Sequence, residues 1–220
     1  MKFKFPNSIY TNVIAAISAV AIALLVRAFV FESFSVPTKV MMPTLISGDF
    51  ILVTKFDYGV KFFGFPIGPQ KLPKYGDILV YRPVDDQDSY FVRRVVGLPG
   101  DLLEIVDGKI ILNQVPIEVR LDTENCGLEV HPSTRYRVCL EPPLINSVRI
   151  IHVPENSLFV IGDSRSKKPG GRGWGIIDAS SIVGRARKIW LSIEPLNSDS
   201  PSPIRSRFRY SRMNQSPYIK

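Results

Sequence analysis

The apolar positions near the start of the chain neither alternate nor follow a helical stripe. Val13–Phe31 (VIAAISAVAIALLVRAFVF) is almost unbroken, with one hydroxyl and one charge in nineteen residues. At a rise of about 1.5 Å per residue, such a helix nearly crosses a hydrocarbon layer of about 30 Å. The pattern predicts an N-terminal transmembrane helix over 13–31, with Arg27 near one end, where its long side chain reaches the headgroups. A buried core helix would show amphipathic periodicity, which is lacking here. Ser33-Phe34-Ser35 has the small-x-small form of a signal cleavage site, but the apolar run is longer than a cleavable signal needs.

After residue 32 the pattern changes to short apolar or alternating runs separated by turn residues. They cover 50–56, 77–81, 89–96, 102–106, 109–113, 149–153, 157–161 and 183–193, and each reads as a strand. Asp107-Gly108 joins two of them in a two-residue hairpin, because both central positions of that turn want positive φ. Eighteen prolines and fifteen glycines suit many short strands and argue against a helical bundle. Between about 113 and 150 the pattern loosens, as for an insertion in the main sheet. Residues 197–220 are rich in Ser, Pro and Arg and too poor in apolar residues to fold alone. This tail is expected either to lie against anionic headgroups or to be solvated.

Composition narrows the partners. Apolar residues make up 45% and charged residues 22%, as in a globular chain. The net charge is +8, but five cations and no acid lie after residue 200 (Arg205, Arg207, Arg209, Arg212 and Lys220), so +3 remains for residues 1–199. The body is too weakly basic for a nucleic-acid footprint. Two cysteines and two histidines, His131 and His152, do not favour a metal centre or a histidine-based triad. Lys2 and Lys4 place residues 1–12 in the cytosol and residues 32–220 outside by the positive-inside rule, a vote weakened by Lys39, Lys55 and Lys61. An external compartment permits Cys126 and Cys139 to pair, although spacing alone leaves two free thiols open. The aromatic stretch 61–66 reads equally as a lip dipping into the interface or as core.

Four ordered stretches follow the apolar segment: FSVPTKVMMPTLISGDFILVTKF (34–56), LPKYGDILVYRP (72–83), YFVRRVVGLPGD (90–101) and IGDSRSKKPGGRGWGIIDASSIVGRA (161–186). Together they resemble the type I signal peptidases, membrane-anchored serine endopeptidases that remove signal peptides, over roughly residues 13–190. The resemblance implies a mainly β fold: an antiparallel body (32–196) with an inserted β subdomain (113–150), preceded by one transmembrane helix in the cytoplasmic membrane. It implies no cofactor and no metal.

The family's chemistry needs a serine nucleophile and a lysine general base held neutral by burial. The position matching the nucleophile is Val40, which has no oxygen. The position matching the lysine is Arg93, whose guanidinium stays protonated at physiological pH. The position matching a serine that orients the lysine is Lys168. The resemblance thus implies a family member whose Ser-Lys dyad is missing. Thr38 matches an oxyanion-binding hydroxyl. As an attacking group, activated by Lys39 or Lys168, it would lie on the wrong side of the scissile carbonyl. Ser33, Ser35 and Ser47 have no supporting pattern.

Val36, Met41, Leu45, Phe91 and Val92 match positions lining the family's shallow pockets, and an extended signal-peptide segment is expected to dock there by strand addition. The competing reading is core packing. Arg94, Asp163 and Arg172 match structural polar positions that brace the last motif. If Lys39, Arg93 and Lys168 converge, their mutual repulsion calls for an anion, a carboxylate or a lipid phosphate; otherwise they face water.

Overall fold

The computed structural model describes residues 7–29, 31–62, 65–67, 71–131, 133–144, 147–166, 173–194 and 207–218. Helix α1 (Asn7–Phe29) leads directly into strand β1 (Phe31–Ser35). The helix therefore starts ahead of the expected Val13, since an established helix extends into polar residues at little cost. It also stops short of Phe31, which is drawn into β1 opposite Thr54. Side chains of α1 are described over residues 10–21, all exposed. Among the described residues no helix is long and apolar enough to cross a membrane. The spanning reading of 13–31 stands on the sequence.

The body is mainly β and antiparallel. In chain order its strands are β2 (Asp49–Thr54), β3 (Val60–Phe62), β4 (Phe65–Ile67), β5 (Ile78–Tyr81), β6 (Phe91–Gly97), β7 (Leu102–Val106) and β8 (Lys109–Leu112). There follow β9 (Val115–Pro116), β10 (Glu118–Leu121), β11 (Cys126–His131), β12 (Thr134–Cys139) and β13 (Ser147–His152). The last are β14 (Ser157–Ile161), β15 (Trp174–Asp178) and β16 (Ile182–Ser192). A seven-stranded sheet runs β1-β2-β16-β5-β6-β14-β15, and a four-stranded one runs β13-β7-β8-β9. Strands β10-β11-β12 form a third sheet, and β3 pairs with β4 across the aromatic stretch.

The long sheet is apolar on both faces because different partners cover each. Along β5, Ile78 and Val80 join a cluster with Val36, Met41, Leu45, Ile51, Val53 and Val92. Leu79 and Tyr81, pointing the other way, join Val95, Leu158, Val160, Ile177 and Ile182. A third cluster, with Leu103, Ile105, Ile110, Tyr136, Val138 and Phe159, ties the four-stranded sheet and the insertion to the body. The β7–β8 hairpin turns at Asp107 and Gly108 with φ of 47° and 74°, the two positive values the dipeptide predicts. The insertion's own sheet covers 118–139 only, because β9 and β13 pair with β8 and β7 at either side. Cys126 and Cys139 face each other across β11–β12 and form a disulfide.

Residues 207–218 contradict the expectation of a tail either solvated or spread on headgroups. They run back along β16 beyond the point where β5 leaves it, with Ile193 bridged to Phe208 and Ile189 to Gln215. The tail adds few apolar contacts of its own; open backbone groups of β16 and buried acidic partners hold it instead.

His131, at the end of β11, is buried and stacked on the Tyr75 ring at 4.7 Å between centroids. Burial pushes its imidazole below the usual pKa; Glu129 and Asp101 oppose this and Arg165 adds to it. The fold thus favours neutral His131. Its share of stability is full above the unfolded value of about 6.5 and is lost as pH falls towards the lower folded value. Urea midpoints should therefore decline from about pH 8 to about pH 5, and His131→Phe, which keeps the ring stack, should flatten part of that decline.

Candidate functional site

The loop that follows β1 leaves and rejoins the sheet at one point. The Val36 amide donates to the Asp49 carbonyl at 2.8 Å, and the Gly48 amide donates to the Val36 carbonyl at 3.0 Å. Gly48 has φ of 88°, and a Cβ there would strike the Ile193 carbonyl, so glycine is required. Inside the loop, the Met42 amide donates to the Lys39 carbonyl at 3.1 Å and the Leu45 amide to the Met41 carbonyl at 2.9 Å. Pro37, Thr38 and Lys39 are exposed, and Val40 is half-buried. The Val40 carbonyl accepts from the Ser164 amide at 2.9 Å, and its side chain lies where a Cβ on Gly162 would collide with it.

Beneath this loop is a buried polar chain. Arg94 donates to both Asp163 carboxylate oxygens, from Nε at 2.7 Å and from Nη2 at 2.6 Å, and its Nη1 donates to the Gly76 carbonyl at 2.8 Å. The Thr44 hydroxyl donates to the same carboxylate and accepts from Arg94 Nη2 at 3.2 Å. The Arg94 guanidinium lies over the Tyr136 ring, 4.2 Å from its centroid, and the Tyr136 hydroxyl donates to Glu129 at 2.6 Å. Arg165 donates to Glu129 at 2.9 Å, to the Gly108 carbonyl at 2.9 Å and to the Gly162 carbonyl at 3.0 Å. Burial alone would lower the pKa of both guanidiniums; the Asp163 and Glu129 carboxylates outweigh it and raise them.

Arg93 stands apart from this chain. It alternates with Arg94 along β6 and pairs with Leu79, whose side chain belongs to the cluster on the other face. Only 3% exposed, it donates from Nη1 to the Val92 carbonyl at 2.6 Å and lies 5.5 Å from the Phe91 ring centroid. Burial lowers its pKa, with Tyr81 opposing. That is the direction a general base needs, but a guanidinium starts above about 12 and stays charged.

The expected site residues thus separate into groups. Val36, Met41, Leu45 and Val92 come together, but at 2%, 1%, 0% and 6% exposure they pack in the core. Phe91 is partly buried against the opposite cluster. Arg94 and Asp163 form the expected brace; Lys168 and Arg172 lie outside the described residues. Of the expected cationic cluster, Lys39 faces water while Arg93 is buried. Four members of the brace are additional. Thr44 stands in the M-M-P-T-L run and Arg165 in G-D-S-R, each an available signal, whereas Glu129 and Tyr136 lie in the loosely patterned insertion and had none.

Comparison with known proteins places this geometry. Residues 9–191 match the family model described as signal peptidase, peptidase S26. The chain belongs to that family. It is 31% identical over 202 residues to a signal peptidase I of Rickettsia akari, covering 79% of this chain and 76% of the relative. It is 30% identical over 238 residues to a signal peptidase I of Buchnera aphidicola, covering 84% and 75%. A crystal structure of a signal peptidase I from Enterococcus faecalis aligns with 52% of this chain and 97% of its own at 23% identity and a TM-score of 0.33.

Three substitutions probe the brace and the contact above it. Gly162→Ala should destabilise the body by about 1–3 kcal/mol in urea unfolding, because its methyl meets both the Val40 side chain and the Val40 carbonyl. Val40→Ala in that background should recover only part of the loss, since the carbonyl remains. Arg94→Met should cost about 3–5 kcal/mol by stranding the buried Asp163 carboxylate.

Proposed function

We propose that this chain is a signal peptidase I family protein that docks extended, signal-peptide-like segments without cleaving them. The observation that carries the reading is the pair Val40 and Arg93 at the nucleophile and base positions. An aliphatic side chain cannot attack a carbonyl, and a permanently charged guanidinium cannot take a proton. Burial of Arg93 lowers its pKa without making it a base.

Two features support docking. The seven-stranded sheet ends at β1, and the exposed Pro37–Lys39 follow it in the chain. A peptide can add there through main-chain hydrogen bonds, which do not need the buried Val36, Met41 or Leu45 as pockets. Among the described residues of the expected cluster, a free phosphate or carboxylate has one solvent-facing cation to meet, Lys39, so we place peptide ahead of anion.

We read α1 as the membrane anchor of this protein. Its described side chains include Tyr10, Val13, Ile14, Ile17 and Val20, each at least half exposed. So contiguous an apolar surface is costly in water and at home in lipid. Phe31, Phe56 and Trp190 are exposed near the start of β1 and extend that apolar character onto the body.

The full-length protein, incubated in detergent with a secretory precursor, should give no shortened product. Val40→Ser alone should remain inactive for lack of a base, and Val40→Ser with Arg93→Lys should restore some cleavage. Lys168→Ser and Lys39→Gly are the next changes to add. Specific trimming by the unaltered chain, abolished by Thr38→Ala, would instead establish an active peptidase with a threonine nucleophile. Photo-crosslinking of a signal-peptide analogue to position 39 should succeed if the edge docks peptide; its failure would leave the fold without that role.

A further inference from the structure

Besides its contacts along β16, the tail grips the end of the loop carrying Val40. Asp49 closes this loop and has no solvent exposure. Its carboxylate accepts from Arg212 Nε at 3.1 Å and Nη2 at 2.7 Å, and Arg209 Nη2 lies 3.8 Å away. The Ser192 hydroxyl donates to it at 2.6 Å and the Ile46 amide at 2.9 Å. The same guanidiniums reach past Asp49 to the loop backbone. Arg212 Nη2 donates to the Thr44 carbonyl at 2.9 Å and Arg209 Nη2 to the Ser47 carbonyl at 2.7 Å.

Thr44 is therefore gripped twice, by Arg94 and Asp163 at its side chain and by Arg212 at its carbonyl. The far end of the tail is pinned as well. The Tyr218 hydroxyl donates to the Ala186 carbonyl at 2.9 Å and accepts from the Ile78 amide and from Arg185 Nε, each at 3.1 Å. Its ring packs on the cluster that holds Val36, Met41 and Leu45. Residues 207–218 also lie beyond the stretch matched by the family model, which ends at 191.

We propose that residues 207–218 form a positioning strap for the loop 36–49, with Arg209 and Arg212 as positioning residues and Asp49 as the anchor. A buried carboxylate needs both charge and donors, and the loop itself supplies only the Ile46 amide. Ser192 of β16 adds one hydroxyl, and the guanidinium forks of the tail supply the charge and the other donors and tie the loop carbonyls in the same grip. Released from the strap, Asp49 must seek water, which opens the turn at Gly48 and loosens the register of Val36 through Leu45. That this loop is the one beside which peptide docks rests on the function proposed above; the mechanical claim does not.

Hydrogen exchange on the full-length protein in detergent tests the strap without any ligand. The amides of Leu45, Gly48 and Asp49, bonded within the loop, are compared with those of Leu158–Ile161 in β14. Arg209→Gln with Arg212→Gln should speed exchange in the loop by about tenfold or more and leave β14 nearly unchanged. Unchanged loop exchange, or equal acceleration in both places, would overturn the proposal. Arg212→Lys, which keeps the charge but not the fork, should fall between. Adding Asp49→Asn to Arg212→Gln should accelerate the loop by less than the product of the two single effects; full multiplicativity would also overturn it. If the loop responds while no variant, nor the parent, crosslinks peptide, the strap stands and the docking role falls.

Discussion

The structure turns on an anion buried without solvent exposure. Asp163 is met by both ends of the Arg94 fork and by the Thr44 hydroxyl, so one carboxylate joins the last motif, the central strand β6 and the loop after β1. In water such an ion pair would contribute little; inside the protein each partner is costly to strand, and mutual satisfaction fixes the geometry. Tyr136 and Glu129 extend the chain to Arg165, which returns to the carbonyl of Gly162. The result is a closed circuit of charge beneath the Val40 loop, built from four segments distant in sequence.

This circuit lies beside Val40 and Arg93, the two residues on which the proposed lack of cleavage rests. Val40 fits closely against Gly162, and Arg93 is accommodated between a carbonyl and an aromatic ring. The brace depends on Arg94 and Asp163, and Arg94 adjoins Arg93 in the chain yet serves a different set of partners. Alternation along β6 explains how neighbours can serve such different ends, since Arg93 and Arg94 project from opposite faces of one sheet.

Much of the fold was legible in the sequence. Runs 102–106 and 109–113 became strands because their alternate residues are buried, and 157–161 because both its faces are covered, while Asp107-Gly108 supplied its own turn chemistry. β1 was hidden because Phe31 belongs to the apolar run before it and Glu32–Ser35 is too short and polar to stand out as a strand. β10–β12 were blurred because their residues are only half-buried and carry charges on the outer face. Of the site, the motif residues Arg94 and Asp163 could be found from their surroundings in the chain. Glu129 could not, because a lone acid in an alternating strand gives no local sign that a guanidinium will reach it from 36 residues away. The tail misled for a similar reason: a segment held by arginines on distant carboxylates looks, by composition, like one that is not held at all.

The disulfide has a reach beyond the hairpin it closes. Cys139 sits at the end of β12, where its own amide donates to the Asp163 carbonyl and its carbonyl accepts from the Arg165 amide. A hairpin already cross-linked presents the arriving 163–165 segment with a ready-made edge; an unlinked one must organise that edge at the same moment. The linkage made by that disulfide is thereby carried, through backbone alone, to the floor of the site.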